Sequence, residues 1–335
     1  MRHIAAVPTV FSALVLTLAA CSSGGTGGTG SPPVVPSAAQ PTTLATAAPP
    51  ASATPGAEQY VANGADFVDA ADWDAKKTIV VEMTEMAFTP KDIVLEAGQP
   101  YVLEIVNKGT EKHEFTAEAF MRTVATRKAE TSETEVKVPF FREVEVFAGK
   151  TVELFIIPLI PGTYELVCEI DLGTANGHCE QGMFATITVT GTAPASPVLK
   201  LADVTSGPWL ADGEAQVAAA DWDTAISLTI DMAEMSFTPK DTVLKVGQPY
   251  IITVVNKGTE KHEFTAEDFF PTIAFRKAED ASGEFKAPAP REVEVFAGQE
   301  VELFLIPTKA GTYDLKCEIE GHFEQGMFGT ITVTA

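Results

Sequence analysis

Near the C-terminal end of the 335-residue chain, Cys317, His322 and Met327 follow one another with the spacing Cys-x4-His-x4-Met. A thiolate, an imidazole and a thioether are soft donors that suit copper, and two imidazoles, one thiolate and a weak axial thioether make the type 1 electron-transfer site. Three of those four donors lie within eleven residues, so the second imidazole has to arrive from elsewhere in the chain. His262 is the candidate: it follows a strand-like run over 250–255 and the turn Asn256-Lys257-Gly258.

The elements that hold these residues read as strands. Residues 312–316 lead into the loop with β-branched and aromatic character, and Thr330-Ile331-Thr332-Val333-Thr334 leads out with period-2 alternation. The whole pattern occurs twice. Asn107 to Phe115 (NKGTEKHEF) returns unchanged at Asn256 to Phe264, and Arg142 to Gly149 (REVEVFAG) returns unchanged at Arg291 to Gly298, at a constant offset of 149 residues. Met86-Ala87-Phe88-Thr89-Pro90 likewise recurs as Met235-Ser236-Phe237-Thr238-Pro239. Such agreement is a duplication, and it gives the first copy its own candidates: His113, Cys168, His178 and Met183. Each copy has the length of one domain and several short alternating runs between Gly, Pro and Asn turns, which predicts two β-sandwiches.

Met-x-Phe-x-Pro, a His after a strand and turn, and Cys-x4-His-x4-Met, in that order, resemble the cupredoxin (type 1 blue copper) family. The resemblance implies an all-β fold of two tandem Greek-key sandwiches. It also implies two type 1 coppers cycling between Cu(I) and Cu(II), held by His113, Cys168, His178 and Met183 and by His262, Cys317, His322 and Met327. Glu263 departs from the pattern, since Asn or Ser often follows the first His in small blue copper proteins. Family members that act as oxidases or nitrite reductases need further histidines for other copper centres. This chain has five, of which His3 lies in the leader and the other four are the candidates above. The expectation is therefore one-electron transfer without catalysis, with a redox partner such as a c-type cytochrome. A copper-binding or copper-tolerance protein that buffers or delivers the metal is the alternative.

The first residues have a different role. A short basic start, an apolar run over 4–20 and Leu18-Ala19-Ala20-Cys21 resemble a bacterial lipoprotein signal, which implies export, cleavage before Cys21 and lipid on its sulfur. A multi-chain anchor would then hold the protein at the membrane, in the periplasm or at the cell surface. Residues 21–58 are almost entirely Gly, Ser, Thr, Pro and Ala and read as a tether. The expected organisation is 1–20 signal, 21–58 tether, 59–191 first domain, 192–207 linker and 208–335 second domain. With 46 acidic against 23 basic residues the formal charge is −23, which disfavours nucleic acid and anionic membrane surfaces as partners.

The copies differ in the metal loop. The first inserts Asp171-Leu172-Gly173-Thr174-Ala175, so its spacing is Cys-x9-His-x4-Met, and it carries Cys179 where the second has Phe323. An outward bulge keeps His178 and Met183 in place. With the ring of Phe323 and its neighbour Phe328 expected to exclude water, the first site is predicted to be wetter, less rigid and spectroscopically distinct. Disulfides Cys168–Cys179 or Cys168–Cys317 are the competing arrangements. Residues 117–141, less regular, predict a short helix or flap, and Met83, Met86, Met232 and Met235 read as core packing.

Overall fold

A computed structural model describes residues 58–335; the signal-like leader, Cys21 and nearly all of the tether lie outside the described residues. The described chain is built from strands with a few short helical turns, as the alternation requires. Asp92–Glu96 and its counterpart Asp241–Lys245 bury every second residue, and so does Phe328–Thr334. In each copy two sheets face one another across a core. In the first copy one sheet runs through Lys77–Thr84, Tyr101–Asn107, Thr151–Pro158 and Val124–Glu130, and the other through His113–Thr116, Gly162–Val167, Phe184–Thr190 and Asp92–Glu96. The second copy repeats this, with Thr265 and Lys316 bridging its shorter metal-bearing sheet to His262–Phe264.

The copies do not stand apart as separate beads. Residues 117–141 hold one helical turn, Glu118–Met121, and then a hairpin, Val124–Glu130 with Thr134–Lys137, instead of a flap. This hairpin crosses to the other copy: Thr134–Lys137 pairs antiparallel with Glu292–Val295, and reciprocally Gly283–Lys286 pairs with Glu143–Val146. The exchange joins strands of both copies into continuous sheets of 8 and 11 strands. One apolar core runs through both, with Phe141 and Phe285 meeting at 6.0 Å between ring centroids. At the centre of the exchange the hairpin turns clasp each other. Asp280 accepts from the hydroxyls of Thr131 (2.7 Å) and Thr134 (2.5 Å), and Glu133 accepts from the hydroxyl of Ser282 at 2.5 Å.

Strand pairing across this interface also stacks like charges. Glu114, Glu145 and Glu284 stand directly opposite one another on three neighbouring strands, and so do Glu263, Glu294 and Glu135. Carboxylates in such register repel. Lysines offset the repulsion: Lys112 and Lys261 lie 2.9 Å from Glu145 and Glu294, Lys137 reaches across to Glu292 at 2.5 Å, and Lys286 pairs with Glu143. Within 192–207, Leu201–Asp203 pairs with Gln59–Val61, and Tyr60, Phe140, Trp209 and Ala289 form a small cluster there that draws on both copies.

Candidate metal centres

Each first histidine opens a strand that starts beside the loop NKGTEK. In the first copy the loop is held by Asn107, whose side chain is fully buried: its Nδ2 donates to the carbonyls of Glu111 and Val146 at 2.8 Å, and its Oδ1 accepts from Gly109 N–H at 2.9 Å. Asn256 makes the same three bonds in the second copy. The amide thus fixes where His113 and His262 enter their strands. On the opposite strand ends, Cys168 and Cys317 take their backbone positions from Met183 and Met327: each cysteine N–H donates to the methionine carbonyl at 3.2 Å. Each methionine N–H donates to the carbonyl of His178 or His322, so cysteine, histidine and methionine of one loop are tied together by main-chain bonds.

The structure brings the predicted imidazoles and thiols together. His113 Nδ1 lies 3.2 Å from His178 Nδ1, and Cys168 Sγ lies 3.4 Å from His178 Nδ1. In the second copy the corresponding separations are 3.3 and 3.4 Å. All six residues are buried, and Met183 and Met327 are fully buried beside them. Two ligands on one first-row metal ion, with bonds of about 2.0–2.3 Å at near-tetrahedral or trigonal angles, stand about 3.3–3.7 Å apart. The donor set therefore fits copper in chemistry and in scale, and nothing else in the two sites explains why two imidazole nitrogens and a thiol should converge.

Burial raises the Cys168 thiol to about 11, even though the N–H groups of Glu114 and Ile170 favour the thiolate; burial likewise raises Cys317. His113 and His262 are lowered, first by burial and then by the neighbouring imidazole. Metal-free, the centres therefore favour a protonated thiol and the neutral form of His113 and His262 at neutral pH. Two groups outside the sequence-predicted set shape them. The N–H of Glu114 donates to Cys168 Sγ at 3.3 Å, as Glu263 N–H does to Cys317. The same glutamates accept from Glu169 N–H and Glu318 N–H, bracing the strand on which each cysteine sits. The signal for both glutamates and both asparagines was their place in the unchanged repeat, but repetition alone does not say which atom a residue serves.

Several expectations are corrected. The inserted residues 171–175 are exposed, so the long loop does bulge outward, yet the donor separations of the two copies agree to 0.1 Å and His178 and His322 are 5% and 6% exposed. The first centre is neither wetter nor wider than the second, because the main-chain bonds to Met183 reset the geometry after the insertion. Phe323 and Phe328 do not shield the second centre: each is 43% exposed and they pack on one another at the surface, 5.9 Å apart. Cys168 and Cys317 are free thiols, so neither competing disulfide forms.

The cupredoxin-like domain family matches this chain twice, over residues 64–179 and 208–333. The copper-resistant cuproprotein CopI of Rubrivivax gelatinosus is 31% identical over 99 residues, covering 30% of this chain; the chain spans 60% of that relative's length. Among solved structures, a multicopper oxidase from Campylobacter jejuni aligns over 78% of this chain and 64% of its own at 14% identity and a TM-score of 0.31. Reduced auracyanin from Roseiflexus castenholzii aligns over 33% of this chain and 99% of its own at 16% identity and a TM-score of 0.25.

Proposed function

Because the chain belongs to the cupredoxin-like family in both of its halves, we propose that it is an exported, lipid-anchored copper protein whose two type 1 centres, His113–Cys168–His178–Met183 and His262–Cys317–His322–Met327, carry out one-electron transfer. The observation that supports this most is the pair of buried His/Cys/His clusters with matching donor separations. Copper bound there would supply a one-electron Cu(I)/Cu(II) couple. The chain's part is to keep the donors still: Asn107 and Asn256 fix one histidine, the methionine carbonyls fix the cysteine, and Glu114 and Glu263 N–H groups stabilise the thiolate. Rigid, buried donors keep the change of geometry between the two oxidation states small, which is what fast electron exchange needs.

No catalysis of oxygen or nitrite is included in this reading. Every histidine among the described residues belongs to one of the two clusters, which leaves no imidazole for a second kind of copper centre. The acidic chain suits a basic redox partner, such as a c-type cytochrome, met near a membrane to which lipid on Cys21 would hold the 21–58 tether. A second reading is copper buffering or delivery without electron transfer, favoured by the likeness to a copper-resistant cuproprotein. An absorption spectrum of the copper-loaded chain tests the site class, and a strong visible thiolate-to-copper band is expected; its absence overturns the type 1 assignment. Rapid, reversible electron exchange with a basic cytochrome supports the first reading, and slow exchange with ready transfer of copper to a chelator supports the second.

A further inference from the structure

The loop that positions each first histidine also lies between the metal centre and solvent. In the first copy, a Cβ on Gly109 would stand 3.0 Å from His113 Nε2, so the loop main chain rests against the outer edge of that ring, and Glu111 Oε2 is 3.8 Å from His178 Nε2. In the second copy the corresponding values are 3.0 Å for Gly258 and 3.4 Å for Glu260. Lys108, Thr110, Glu111 and Lys112 are exposed while the rings beneath them are buried. One short segment therefore covers the outer nitrogens of both histidines.

The tip of this cover is fastened to a different part of the sheet. Lys77–Thr84 turns into Ala87–Thr89 through Glu85 and Met86, with Met86 in the left-handed region at φ 59°, and this tight turn projects Glu85. Glu85 Oε1 accepts from both the N–H (2.5 Å) and the hydroxyl (2.9 Å) of Thr110. Glu234, on the turn with Met235 at φ 58°, takes the same two bonds from Thr259. The root of the cover is a buried asparagine, whereas its tip is held by one exposed carboxylate. Hydrogen bonds to a charged acceptor are the stronger kind, and the exposed end is where opening costs least.

We propose that residues 107–112 and 256–261 are hinged covers over the two centres, and that Glu85 and Glu234 are the catches that set how fast copper enters and leaves. The proposal rests on the copper reading, but the catch itself can be measured without metal. In the full chain, Glu85→Ala is expected to speed amide exchange of Thr110 in the metal-free protein and to leave Thr259 unchanged; Glu234→Ala should do the reverse. In a Cys317→Ser background, where only the first centre can form, Glu85→Ala should release copper to a chelator at least about threefold faster with an unaltered visible spectrum, and Glu85→Gln should fall between it and the parent. The intermediate Gln variant also serves should the Ala variant fail to fold. Unchanged Thr110 exchange, or unchanged release from a chain that binds copper, overturns the proposal. A parent chain that holds no copper overturns the reading beneath it, and the exchange measurement separates the two failures.

Discussion

Replacing Asp280 with Ala tests whether the two halves are one cooperative structure. Asp280 is 7% exposed, and its carboxylate accepts from Thr131 and Thr134 of the first copy at 2.7 and 2.5 Å and from the N–H groups of Ser282 and Gly283 at 2.8 and 3.2 Å. The Thr131 hydroxyl has a second acceptor in the Thr134 carbonyl at 3.4 Å, but the Thr134 hydroxyl and the two N–H groups lose the acceptor that Asp280 gives them. Each orphaned or weakened charge-assisted bond costs about 1–3 kcal/mol. Burial opposes ionisation of Asp280 more than any other influence and raises its pKa, so removing the charge returns part of that cost. The net loss should be about 2–4 kcal/mol, or about 5–15 °C in Tm for a folded region of this size. Asp280→Asn should change stability by less than about 1 kcal/mol, since its amide can donate to the two threonines while its oxygen accepts from the two N–H groups. Calorimetry of the metal-free chain should show a single transition that moves as a unit. A biphasic trace in which only the second half shifts, or an Ala variant as stable as the parent, would refute the argument.

Four further outcomes are expected. Glu114 and Glu263 are both raised from 4.5 to about 8, chiefly by burial and then by the neighbouring glutamate. A carboxyl raised on folding keeps its proton in the native state while the unfolded chain has lost it, so stability should fall as pH rises between about 4.5 and 8 and level off above. The slope is at most about 1.4 kcal/mol per pH unit for each group, and urea titrations at a series of pH values measure it. Copper uptake should release a proton from each thiol, so apparent affinity should rise about tenfold per pH unit well below the Cys168 value of about 11, as competition with a chelator would record. Cys317→Ser should remove one of two closely similar visible bands and leave the first centre intact; two clearly different spectra in the parent would contradict the matched donor separations. Gly258→Ala should disturb the second centre only, because the added methyl would meet Glu234 Oε1 at 2.8 Å and His262 Nε2 at 3.0 Å, and metal analysis should show about half the copper retained.

Much of the site was legible because its donors are few and chemically distinctive. Four histidines, two cysteines and two methionines recurring at fixed places left little freedom, and period-2 alternation in segments such as Phe328–Thr334 announced the sandwich. The hairpin over Val124–Glu130 and Thr134–Lys137 was not legible. Its strands are short, and Thr134–Lys137 finds its second pairing partner, Glu292–Val295, more than 150 residues away, which no local pattern encodes. Nor could sequence foresee that Phe323 would face outward, since an aromatic beside a ligand histidine reads as shielding until the loop's path is known. The small effect of the five-residue insertion escapes the sequence for a related reason: loop length is visible there, whereas the main-chain bonds from Met183 to Cys168 and His178 that absorb it are not.

The clasp at the centre of the exchanged hairpins also bears on the chain's past. Thr131 and Asp280 occupy equivalent positions of the two copies, as do Glu133 and Ser282, yet each pair is chemically complementary. In an assembly of two identical chains about a two-fold axis, every substitution appears on both sides at once, so an acid arising at this position would face a second copy of itself. Two buried carboxylates would then share the place where one now takes four hydrogen bonds. The acid and its hydroxyl partners could separate onto opposite sides only once each half had its own coding copy. Duplication thus came before this divergence, and cutting the chain between its halves would leave two pieces that fit each other better than either fits its own twin.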